Sequence, residues 1–119
     1  MSPSQDNDPA PAREVVPLHA AGQSLLADAH AARARRAART VVSVPGLRTT
    51  LLALVAGCEL AEHDAPGAAT LGCLTGRVRL ATTDCEWVLD EHDLIPIPDQ
   101  RHRLIADTDS VVLLTVRLG

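Results

Sequence analysis

After Thr40 the chain is cut into short apolar runs by turn residues, about every ten residues. The runs are 40–44, 49–56, 69–74, 77–81, 86–89, 94–97, 102–106 and 111–118. Pro45-Gly46, Pro66-Gly67, Gly76, the acidic stretch 90–93 and the stretch 107–109 separate them. Eight short strands at this spacing predict an all-β fold, a small β-barrel or jelly roll. Two runs, LLALV at 51–55 and VVLLTV at 111–116, lack the strict alternation of a half-exposed strand. They predict strands covered on both faces.

The first third of the chain has a different texture. Residues 1–16 are polar and Pro-rich, which predicts a disordered tail. Over 17–39 the residues Leu18, Ala21, Leu25, Ala29 and Ala32 recur at three- and four-residue steps, with Leu26 widening the stripe. That is the signature of a helix, weakened early by Gly22. Arg33, Arg35, Arg36 and Arg39 crowd its last turns, where the helix dipole favours cations. The 119 residues therefore read as one domain: a tail, an N-terminal helix, and a barrel over 40–119.

Composition narrows the functions open to such a barrel. There is no Phe or Tyr and one Trp, so bases cannot be stacked on an aromatic platform and a cation cannot be caged by rings. All eleven basic residues are Arg. Five Arg stand against four acids in 1–39, and six against eleven in 40–119, so the barrel is acidic and repels a phosphate backbone. The four Arg at the end of the helix make too small a footprint for a nucleic-acid arm. The dense acidic run Asp84, Glu86, Asp90, Glu91 and Asp93 reads as an exposed hairpin, or as a complement to that Arg patch. Trp87 reads as a core or dimer anchor. The N-terminus is the reverse of a signal peptide, and the longest apolar run, 51–58, is too short to span a bilayer. Cys58, Cys73 and Cys85 form no CxxC pair, which predicts a reduced, cytoplasmic protein.

Two stretches carry a more specific signal. Five residues separate Gly57 from His63, and Gly76 lies thirteen beyond that His. Further on, the stretch HDLIPIPDQRHRLIADTDSVVLLTV places His102 a few residues after a turn and a Pro. In order and spacing these resemble the two motifs of the cupins, specifically a small single-domain cupin. The helix with its Arg lead-in is similar to that of small actinobacterial cupins. The resemblance covers about 100 residues and implies a cupin barrel, commonly a homodimer. It also implies a set of three His and one Glu that holds divalent Fe, Mn, Ni, Zn or Cu. Here the motif is degenerate. The second His position falls on Ala65, the Glu position on Ala69, and the Gly of the second motif is His92.

The resemblance directs His63 and His102 into the barrel from neighbouring strands. They are the candidate catalytic acid/base pair, the candidate metal ligands, or polar anchors for a ligand. Ala65, Ala69, Leu71, Cys73 and Leu104 would line the cavity, and the Cys73 thiolate is the possible third metal ligand. By alternation Glu62 and Asp64 point away from the barrel interior into solvent; a bulge would turn one of them inward to replace the missing carboxylate. Arg77, Arg79 and Arg103 read as surface residues; were they to line the cavity, the ligand would be an acid. The expectation is a small-molecule-binding cupin. The alternative is a cupin enzyme of secondary metabolism, either a metal-dependent oxygenase or isomerase or a metal-free cyclase or dehydratase. A membrane partner is not expected.

Overall fold

A computed structural model describes residues 14–63 and 67–119, apart from the side chains of Glu62 and His63. The elements are α1 (Leu18–Ala31), β1 (Arg36–Val44), β2 (Leu47–Leu54), β3 (Glu59–His63), β4 (Ala69–Thr75), β5 (Val78–Ala81), β6 (Glu86–Leu89), β7 (Leu94–Pro96), β8 (His102–Ala106) and β9 (Ser110–Arg117). They form a five-stranded sheet ordered β1-β2-β9-β4-β7 and a four-stranded sheet ordered β3-β8-β5-β6. The strand pairs are antiparallel. This is the jelly-roll arrangement that the turn spacing predicts.

The two sheets face each other across one apolar cluster. Leu54, Leu71, Cys73 and Val112 come from the larger sheet, and Val78, Leu80, Leu89, Leu104 and Ala106 from the smaller. A second cluster lies on the other side of the larger sheet. There α1 covers β1, β2 and β9 through Leu25, Ala29, Val41, Leu51, Ala53 and Val111. The doubly apolar runs now have their reason. In LLALV, Leu51 and Ala53 face the helix while Leu54 faces the other sheet. Burying Leu25, which is 1% exposed, stabilises this layer by roughly 1.5–3 kcal/mol. Gly22 does more than weaken the helix. A Cβ there would lie 3.0 Å from Val111 Cγ1, so its absence lets α1 approach the sheet.

Two expectations need correcting. The helix does not run to residue 39. It ends at Ala31, Ala32 is extended, and Arg35 takes a positive φ of 62°. Residues 36–39 instead join β1 and pair with Leu54, Ala53, Leu52 and Leu51 of β2. The Ala/Arg composition favours helix, but the ladder with β2 overrides that propensity. The second correction is β3, a strand absent from the list of apolar runs because Glu59, Glu62 and His63 break it up. The tail prediction for 1–13 lies outside the described residues, while 14–17 precede α1 without regular structure. All three cysteines are free thiols. Among the described residues no helix is long and apolar enough to cross a membrane.

Candidate functional site

His102 opens β8 and is 2% exposed. Its Nδ1–H donates to the carbonyl of Gln100 at 2.9 Å. A carbonyl only accepts, so in the neutral ring the proton sits on Nδ1 and Nε2 carries the lone pair. The bend at 99–100 thus sets both the tautomer and the orientation of the imidazole.

Directly across the strand pair is His63, the register partner of His102. Between Leu60 and His63 the register slips by one residue, so β3 carries a bulge at this point. The bulge raised as a possibility from the sequence therefore exists. The side chains of His63 and Glu62, and residues Asp64 and Ala65, lie outside the described residues.

His102 borders a cavity between the sheets of about 60 Å³. Its other described walls are aliphatic. They are Leu71 and Leu104, with Leu52 and Leu114 of the larger sheet, Leu60 and Leu80 of the smaller, and Ile97. The two-residue strand period that turns Leu54 and Val112 inward does the same for Leu52 and Leu114, and Ile97 closes the apolar run 94–97 just beyond β7. At about 30 Å³ per water, the space takes two waters, not a drug-sized molecule. Among the described residues, leucines take up most of the space around this cavity.

The structure separates two predicted residues from this cavity. Ala69 is half-buried at the start of β4 and does not line it. Cys73 is buried on β4, but its thiol turns toward the carbonyls of Thr75 and Gly76 at 3.4 and 3.5 Å. Burial, reinforced by the charges of Glu91, Asp90 and Asp93, pushes that thiol up to about 11. Turned to those carbonyls, the thiol does not line the cavity that His102 borders. The third-ligand role for Cys73 is therefore corrected. Among the described residues the expected four-ligand set is not seen around the cavity. The described residues bring one imidazole, and the Glu position brings a methyl group. Among the described residues no three His, Cys, Asp or Glu side chains gather as a metal site.

The arginines lie on the outside. Arg77 pairs with Asp90 at 2.7 Å, Arg79 with Asp107 and Glu86 at 2.8 and 3.0 Å, and Arg103 with Glu59 at 3.0 Å. Two members of the acidic run thus find partners beside β5. These exposed pairs orient strands more than they stabilise them. Trp87 sits on the edge strand β6 opposite Leu80 and packs, partly buried, against the inner cluster, as an anchor of the core would.

Two sheets packed face to face, with a histidine between them at one end, define a jelly roll of the cupin type. Solved structures agree. A cupin-superfamily protein from Desulfitobacterium hafniense covers 94% of this chain and 97% of its own, at 16% identity and a TM-score of 0.68. An RmlC-like cupin from Desulfovibrio desulfuricans covers 69% and 81%, at 22% identity and a TM-score of 0.61. A conserved protein of unknown function from Streptococcus pyogenes covers 74% and 78%, at 26% identity and a TM-score of 0.65. No protein-family model matches the chain, and no curated protein sequence does. The protein has the cupin fold.

Proposed function

We propose that this protein is a small-molecule-binding cupin that holds its ligand between the sheets through His102, with His63 beside it. The observation that supports this is a buried, tautomer-fixed imidazole in an otherwise aliphatic cavity. Such a site recognises one hydrogen-bonding group on an apolar body. The described volume limits the buried part to a few atoms, so the ligand is a short aliphatic alcohol or the small head of a longer molecule. Methyl NMR with short aliphatic alcohols as probes tests this. The expected result is perturbation of the Leu71 and Leu104 methyls that is lost in His102→Ala. Stoichiometric metal in untagged protein, lost in both His63→Ala and His102→Ala, would instead make the site a metal centre and overturn the reading.

A second reading rests on the register. Cross-strand pairing of His63 with His102 brings the two backbones together and suits a metal-free acid/base pair, as a cyclase or dehydratase of secondary metabolism needs. In that case His63→Gln changes the titration curve of His102; an unchanged curve removes the pair. A cytoplasmic homodimer belongs to the same proposal. Val88 on β6 and Leu94 on β7 are exposed large apolar side chains on edge strands, and free thiols suit a reducing compartment. Sedimentation at micromolar concentration tests the dimer.

A further inference from the structure

A second cleft lies outside the barrel, between the first turns of α1, the ends of β4 and β9, and the β6–β7 turn. Its volume is about 220 Å³. Leu18, Leu74 and Val111 give it aliphatic walls, and His19, Gln23, Thr75 and His92 supply its polar groups. Three local irregularities meet here. The β4 register slips between Cys73 and Thr75, which pair with Val112 and Val111. This bulge brings both Leu74 and Thr75 to the cleft rather than to opposite faces. The Thr75 hydroxyl is buried and has no hydrogen-bond partner. His92 holds a φ of 74°, a left-handed conformation that a glycine would take without strain. Its amide donates to the Cys73 carbonyl at 2.7 Å, and the Cys73 amide donates to the Asp93 carbonyl at 2.9 Å, so the turn is pinned against β4. A left-handed histidine and an unmet hydroxyl at one cleft are features that binding sites favour.

We propose that this cleft binds a small neutral molecule carrying both a hydrogen-bond donor and an acceptor on an aliphatic frame, such as an amide or a lactam. The polar lining groups set the class. Two imidazoles, a carboxamide and a hydroxyl each donate and accept, and no Arg, Asp or Glu lines the cleft. An anion is disfavoured by Asp90, Glu91 and Asp93 on the same turn as His92, and by the net charge of −4. A cation finds no carboxylate in the wall. A 120° step about χ1 of Thr75 carries its hydroxyl to the place of its methyl, and the methyl to that of Hβ, which brings the hydroxyl out of its buried position to the ligand. At about 30 Å³ per water-sized group, the space holds about seven non-hydrogen atoms. The site is independent of the barrel cavity, which has none of its lining residues.

The test is imidazole NMR of the full chain, titrated with 2-pyrrolidinone. The expected result is movement of the His19 and His92 signals while that of His102 stays still. His19→Ala, His92→Gly and Thr75→Val should each weaken binding about tenfold, the worth of one hydrogen bond. All three should keep the fold: Ala favours the helix, Gly relieves the φ of residue 92, and Val removes an unpaired hydroxyl. Melting curves check this. No movement of His19 and His92 at the solubility limit of the probe overturns the proposal. So does unchanged affinity in all three variants, or tighter binding of acetate or of pyrrolidinium than of the lactam.

Discussion

The two faces of β4 and β9 border cavities of opposite character. On the inner face, Leu71 and Leu114 close around about 60 Å³, and the histidine there has its Nδ1–H satisfied by a backbone carbonyl. On the outer face, Leu74 and Val111 border about 220 Å³, with a hydroxyl that bonds to nothing and a histidine in a left-handed conformation. The inner site is the one that sequence motifs announce, yet it is the better packed of the two. The outer site has no motif, yet it holds the local conflicts. Leucines fill most of the described space between the sheets, while irregular backbone has opened space under the helix.

The sharpest way to break the comparison is to break both faces at once. Gly76 follows β4 with a φ of +83°, and a Cβ there would lie 2.2 Å from the Asp109 carbonyl oxygen and 2.4 Å from Ser110 Oγ. Backbone cannot give way as a flexible side chain does. Gly76→Ala should therefore cost more than about 3 kcal/mol in urea unfolding. A cost under about 1 kcal/mol would mean that this turn has slack. Next in size is the inner face alone. Leu71→Ala removes a 2%-exposed side chain from the core and should cost about 2–5 kcal/mol, with a larger inner cavity measurable by xenon binding.

The outer face should respond with the opposite sign. Thr75→Val deletes the unpaired hydroxyl without changing shape and should stabilise the chain by about 1 kcal/mol. Thr49→Val, which breaks a 3.2 Å bond to Thr115 Oγ1, should not. Equal effects of the two substitutions would show that Thr75 finds a partner in solution. The smallest effect concerns the far end of α1. Asp109 accepts from the Ala56 amide at 2.9 Å and from His30 Nε2 at 2.7 Å. The amide bond first, and then the imidazole, hold its carboxyl below the ordinary value of 3.8. The carboxylate form is favoured by folding, so its contribution is complete above 3.8 and fades as pH falls through the lower folded value. Both groups are substantially exposed, which limits Asp109→Asn to about 0.5–1 kcal/mol at pH 7. That difference should shrink as pH falls below 3.8; a difference independent of pH would assign the effect to shape alone.

Much of the fold was legible because its signals are local. Turn residues mark the strand ends, and doubly apolar runs mark the strands beneath the helix. The stripe of Leu18, Ala21, Leu25 and Ala29 is the face that packs. What was illegible depended on partners far along the chain. Arg36–Arg39 read as helix until β2 offers them a ladder, and polar β3 has no apolar run to announce it. At the site, Leu71, Leu104 and His102 followed from strand period and motif. Cys73 also faces inward by period, but which carbonyls its thiol meets depends on the Thr75–Gly76 turn, which periodicity does not describe. The outer cleft needs a bulge, a positive φ and an orphaned hydroxyl to meet, and no linear pattern encodes that meeting.

The contact between Gly22 and Val111 has a consequence in evolutionary terms. With 3.0 Å between the place of a missing methyl and a Val111 methyl, the two positions share one fixed allotment of volume. A larger residue at 22 is tolerable only beside a smaller one at 111. Among descendants of this chain that keep the helix seated on the sheet, the two sites should therefore change as a pair, although 89 positions separate them in sequence.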